Sequence, residues 1–184
     1  MKRLVLLKTA FAVATALEVF TAFLYISSPL LVFRGGVEGF YSLYTYRIAF
    51  LEEVVKSDVL SYTNSMALLA TFVYASLQVL AIAAVLSKRL EYIELSFGAS
   101  LVSIPYYGVL NGLVTVALRE LARIPTPARV VTLAGVIEFP ETQVVRGPAQ
   151  AIAAALLIAL AVKLVLIALV IYIQLRAVRV MARG

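Results

Sequence analysis

The run Ala149–Leu175, AQAIAAALLIALAVKLVLIALVIYIQL, decides the fold, because every side chain in it is hydrophobic except Gln150, Lys163 and Gln174. A bilayer core about 30 Å thick is crossed by roughly 20 apolar helical residues, so this stretch is long enough to span it. Arg176, Arg179 and Arg183 follow it directly, as basic residues do where a span leaves the hydrocarbon. The rest of the chain repeats the pattern. Of 184 residues, 63% are hydrophobic and only 14% charged, with a mean hydropathy of +1.01. A soluble domain is about half apolar and a quarter charged, so the solvent for most of this chain is lipid.

Working back from that span, the other segments emerge. Met1-Lys2-Arg3 opens an apolar run that continues to Val32. The basic start and the small residues Ala12, Ala14 and Ala16 imitate a secretory signal, but the run is too long, and it reads as a first span over about 5–27. A second span runs over about 65–86, ending at Ser87-Lys88-Arg89. A third apolar segment, about 95–118, is interrupted by Pro105-Tyr106-Tyr107-Gly108, and Arg119, Glu120, Arg123, Pro125 and Pro127 stop it. Between these spans, residues 33–61 open with Gly35-Gly36 and carry Tyr41, Tyr44, Ile48, Leu51 and Val55 at helical spacing. That spacing predicts an amphipathic interfacial helix bearing a belt of tyrosines, lying in the headgroup layer or packed on other helices, or else a solvated loop helix with a core-facing stripe. The stretch 130–145, holding Glu138 and Pro140, reads as a re-entrant or interfacial piece, or as a further crossing. The expected fold is therefore an all-α polytopic transmembrane helix bundle of four to six membrane segments, residues 1–184 forming one integral membrane domain.

The basic ends both favour the cytoplasmic side, which requires an even number of crossings. With four spans, Arg119, Arg123 and Arg129 fall on the outside, against the rule. With six, 95–118 folds as a hairpin and 128–146 crosses. No internal repeat is visible.

Composition excludes several chemistries. The chain has neither Cys nor His, and its only Asp is Asp58. Disulfides, thiol nucleophiles, imidazole bases and paired aspartates are therefore absent, and we expect no enzyme, metal or cofactor. The net charge of +6 is spread over the ends of apolar segments, which suits anionic headgroups rather than nucleic acid. The poverty in Asn, Gln and Cys is a composition that suits a thermophile.

Three groups of residues stand out against this background. Glu18 and Lys163 lie at the middles of the first and last spans, where each costs several kcal/mol unless paired or neutralised. Their similar depth predicts a pair joining the two helices, serving either as a static pin or as a proton or cation site. Gly108 and Gly112 share one helix face, which invites close packing of a neighbouring helix, with Asn111 placed to hydrogen-bond across the contact. Glu138 beside Pro140 within an apolar stretch needs a donor, for which Arg129 or Arg146 is at hand, and marks either a re-entrant corner or a cavity wall.

In order, Ser61-Tyr62-Thr63-Asn64-Ser65-Met66-Ala67-Leu68, Asn111-Gly112 and Gly135-Val136-Ile137-Glu138-Phe139-Pro140, followed by a long apolar helix, resemble the stage II sporulation protein M family of small multi-helix membrane proteins. The family opens a span with an Asn-containing entry, ends a middle segment near Asn-Gly, and carries a Pro-His-Gly-x-x-Glu-x-Pro signature. The likeness covers about residues 60–175. It departs where the family's Pro-His is Leu133-Ala134, its Asn-Asn is Thr63-Asn64, and the small residue after the second Pro is Glu141. The resemblance implies a membrane scaffold that recruits partner proteins. The leading expectation is thus a non-enzymatic, multi-pass scaffold or interaction subunit of the cell membrane, with the lipid bilayer, other membrane proteins or a second copy as partners. The alternative is a small-solute transporter, or a membrane subunit of one, with Glu138, Asn111, Glu18 and Lys163 lining a polar path.

Overall fold

A computed structural model describes residues 2–50, 53–87, 91–123, 130–132, 135–137 and 142–181. In chain order the elements are α1 (Lys2–Ser27), β1 (Leu31–Gly35), β2 (Val37–Tyr41), β3 (Tyr46–Phe50), β4 (Glu53–Val54), α2 (Asp58–Leu86), α3 (Glu91–Leu101), α4 (Ser103–Leu121), β5 (Val130–Thr132), β6 (Gly135–Ile137), β7 (Thr142–Arg146) and α5 (Ala149–Met181). Four stretches, Leu4–Ser27, Asp58–Leu86, Tyr92–Leu121 and Ala149–Arg176, are long and apolar enough to cross a membrane. The fold is a predominantly helical four-span bundle with a small sheet.

The helix boundaries follow from local chemistry. Ser57 caps α2: its Oγ accepts the Leu60 amide at 3.3 Å, and Asp58 sits in the positive first turn. The span therefore begins at Asp58, some seven residues before the expected start at Ser65. The third span breaks between Leu101 and Ser103, one turn before the expected Pro105–Gly108 interruption. Pro105 has no amide hydrogen for the carbonyl four residues earlier, on Leu101, and its ring crowds that same carbonyl.

Residues 33–61 do not form the expected amphipathic helix. They form four strands, and the sheet they make, in the order β4-β3-β2-β1-β7, is antiparallel throughout. Gly35 and Gly39 adopt φ of 112° and 133°, a conformation that a helix cannot hold. At Gly39 a Cβ would collide with the Arg47 carbonyl of the neighbouring strand, so only glycine allows β2 and β3 to approach. Burial alternates as a strand requires, with Leu31 and Phe33 buried around half-buried Val32. The apparent helical stripe is split accordingly: Tyr41 and Ile48 are buried, Tyr44 lies exposed between β2 and β3, and Leu51 lies outside the described residues.

The stretch 128–146 is also strand where it is described. β5 pairs with β6, and β7 completes the large sheet by pairing Leu31 with Arg146 through to Gly35 with Thr142. Open strands leave backbone groups that lipid cannot satisfy, so this sheet belongs outside the hydrocarbon. Glu120, at the end of the third span, accepts a hydrogen bond of 2.9 Å from the Ser57 hydroxyl at the start of α2. The third span is therefore crossed once, the six-segment alternative fails, and both strand-bearing loops share one side of the membrane.

The chain's contacts gather into two compact units, each drawn from several stretches. The first comprises Met1–Ala22, Val73–Pro105 and Ala154–Gly184. Its core is Phe11, Ala81, Val85, Ile167 and Val170, packed on Leu4, Leu7, Ala99, Leu166 and Ile171. The second comprises Phe23–Phe72 and Tyr106–Ala153 and holds the sheet, with Tyr41, Leu43, Ile48, Leu60, Leu110 and Leu121 as its large buried side chains.

Candidate functional site

The first unit encloses an ion pair. Glu18 on α1 and Lys163 on α5 are both fully buried, with Nζ to Oε2 at 2.5 Å. Among the described residues they are the only fully enclosed charged side chains. A lone charge in such a place would be neutralised or expelled, whereas an opposed pair with its remaining hydrogen-bond capacity filled can stay.

Lys163 fills that capacity. Besides Glu18, its ammonium donates to Ser103 Oγ at 2.5 Å and to Gln78 Oε1 at 3.2 Å. The ammonium is thus ion-paired to α1 and hydrogen-bonded to α2 and α4. Gln78 is held in turn by donating Nε2 to the Ala99 carbonyl at 2.9 Å. The Tyr74 hydroxyl stands 3.3 Å from Ser103 Oγ, while its ring lies 5.8 Å from the ammonium. Ser103 is the first residue of α4, immediately after the break in the third span, so the ammonium binds where that span is interrupted.

The sequence names Glu18 and Lys163, and the structure brings them together. It does not name Gln78, Ser103 or Tyr74. Gln78 carried a signal, as the only side-chain amide from Ser65 to Leu86, and an amide deep in a span needs partners as a charge does. Ser103 and Tyr74 carried none, since serines and tyrosines recur throughout the spans.

The other expected site residues lie elsewhere. Asn111, Gly108 and Gly112 belong to the second unit and are exposed, and a Cβ added to either glycine meets nothing within 4 Å. Among the described residues nothing packs into the expected glycine seam, and the buried face of α4 is the opposite one, carrying Tyr106, Leu110, Ala117 and Leu121. Glu138 and Pro140 lie outside the described residues. Among the described residues, no three or more His, Cys, Asp or Glu side chains gather into a group able to hold a metal ion.

Two polar knots tie the second unit. The Tyr46 hydroxyl on β3 donates to the Ser57 carbonyl at 3.1 Å and accepts the Ser57 amide at 3.0 Å. Glu120, bonded to Ser57, lies 3.7 Å from Arg123, so part of the basic charge following the third span is balanced locally. Tyr41 is fully buried, and its hydroxyl meets no hydrogen-bond partner of normal geometry among the described residues. Burial pushes this phenol up to about 12, the Thr63 hydroxyl offsetting part of the effect and Tyr25 adding slightly to it.

Comparison with protein families, curated proteins and solved structures finds no match to this chain.

Proposed function

We propose that the chain is a non-enzymatic, multi-pass scaffold or interaction subunit of the cell membrane, whose spans carry the small sheet as a contact platform. One observation carries this reading. The intramembrane charges are paired with each other in a buried cluster, where the Lys163 ammonium also donates to Ser103 and Gln78. Chemistry so enclosed serves to hold helices. Of the residues that a polar path would join, Asn111 is exposed on the outer face of α4 rather than buried. The likeness to the stage II sporulation protein M family supports the same class of role.

Orientation follows from the basic termini. Lys2-Arg3 before the first span and Arg176-Arg179-Arg183 at the end of the last favour the anionic cytoplasmic leaflet, which leaves the sheet, reached after one crossing, on the outer side.

The transporter reading draws on one observation, that Lys163 binds beside a broken helix, where transporters place their sites. Affinity purification of the full chain from native membranes, as wild type and as the double variant Glu18→Leu/Lys163→Leu, separates the two. Either single change should cost about 3–5 kcal/mol by stranding a buried charge, and the double change should recover most of that. A scaffold keeps the same co-purifying proteins in the double variant. Recovery of the wild type without any other protein overturns the scaffold reading. A folded double variant that loses a solute flux shown by the wild type establishes the alternative.

A further inference from the structure

The lipid-facing side of α4 carries Gly108, Asn111, Gly112 and Thr115, within about 100° of one another on a helix turning 100° per residue. Two features of this face are independent. The first is its flatness: a Cβ at Gly108 or Gly112 would meet nothing within 4 Å, so the backbone is open to close approach. The second is chemical. The Asn111 side chain is exposed, has no hydrogen-bond partner among the described residues, and lies well inside the span Tyr92–Leu121. Thr115, by contrast, satisfies its hydroxyl on the Asn111 carbonyl at 2.9 Å. An amide facing hydrocarbon unpaired costs several kcal/mol, so Asn111 requires a donor and an acceptor from another membrane helix at the same depth.

We infer that this face binds a second copy of the chain, α4 against α4, with Asn111 paired to the same residue of the second copy. This deepens the scaffold reading and rests on it. The argument is self-complementarity. Copies inserted alike lie parallel, and a two-fold axis along the membrane normal sets equal depths opposite each other. A carboxamide holds both donor and acceptor, so two of them satisfy each other reciprocally. From Gly108 to Thr115 the stripe has no charge to repel its like, and Arg119 lies beyond it toward the headgroups. A foreign helix would have to supply both a small face and a polar group at this depth.

The absence of cysteine permits a direct test in the full chain in lipid vesicles. Single variants Gly108→Cys, Gly112→Cys and Thr115→Cys should form disulfide dimers under mild oxidation, whereas Val109→Cys and Val114→Cys, each about 110° from the centre of the stripe on either side, should not. Asn111→Leu should weaken association, read by energy transfer between labelled copies, about tenfold without changing helix content. Equal dimer yield at all five positions, or association unchanged by Asn111→Leu, overturns the inference. Cross-links formed in native membranes only to other proteins overturn the second copy as occupant while leaving the scaffold reading intact. Dimers formed by a chain that recovers no other protein keep the inference and sink that reading.

Discussion

At the residue scale, Tyr41 gives the cleanest link between burial and a measurable property. Its phenol is enclosed, and the protonated form is favoured up to about 12, against an ordinary value of 10.0. Between those values the folded chain holds a proton that the unfolded chain has released, so stability falls as pH rises through that window. The full effect is on the order of 3 kcal/mol and is present below pH 10. Tyr41→Phe should unfold with a flatter pH dependence between 10 and 12, and the tyrosinate absorbance gained on unfolding wild type in that range should shrink. Equal slopes for both proteins would show that Tyr41 titrates freely. The same scale shows what sequence reveals and what it hides. Glu18 and Lys163 stood out because a charge among apolar residues is costly wherever it points. Tyr41 stood out as an aromatic on a supposed helix, and its burial depends on neighbours that no local spacing describes.

At the element scale, the spans were legible and the sheet was not. Twenty or more apolar residues announce a transmembrane helix without reference to anything else. Short strands of four to six residues share their side chains between two faces, and Tyr41, Tyr44 and Ile48 happened to fall at helical spacing as well. β1 to β4 pair with one another locally, but the fifth strand, β7, lies about a hundred residues further on, so no window over 33–61 contained the whole sheet. The glycines were the available signal, since Gly35, Gly36 and Gly39 within five residues argue against a helix. Gly147 joins the sheet to the last span. Its amide donates to the Leu30 carbonyl at 3.0 Å, and a Cβ there would strike the Pro29 carbonyl. Gly147→Ala should therefore detach β7, destabilising the sheet by about 2–4 kcal/mol while leaving the spans helical. Amide hydrogen exchange would show this as lost protection over Leu31–Gly35 and Thr142–Arg146 with α5 unchanged. Uniform loss across the chain would mean that the junction holds the whole fold.

At the scale of the whole molecule, the number of crossings turns on one short region. Sequence left the stretch from Arg119 to Arg129 on either side of the membrane, because its arginines oppose the positive-inside tendency. The structure places Glu120 against Ser57, and Ser57 leads out of the sheet into α2, so the end of the third span must share the sheet's side. The Glu120 carboxylate, bonded to a helix cap, also stands 3.7 Å from Arg123 and so offsets part of that basic charge. Single cysteines read by a membrane-impermeant thiol reagent in oriented vesicles test this arrangement, with Glu38→Cys and Gln143→Cys reporting the sheet side and Ser87→Cys and Arg176→Cys the other. Arg123→Cys decides between the topologies, since its side chain is exposed and the four-span and six-segment arrangements put it on opposite sides. It should react together with Glu38→Cys. Reaction together with Ser87→Cys would return the third segment to a hairpin and remove the sheet's second loop from the outer side, and with it the platform on which the scaffold proposal stands.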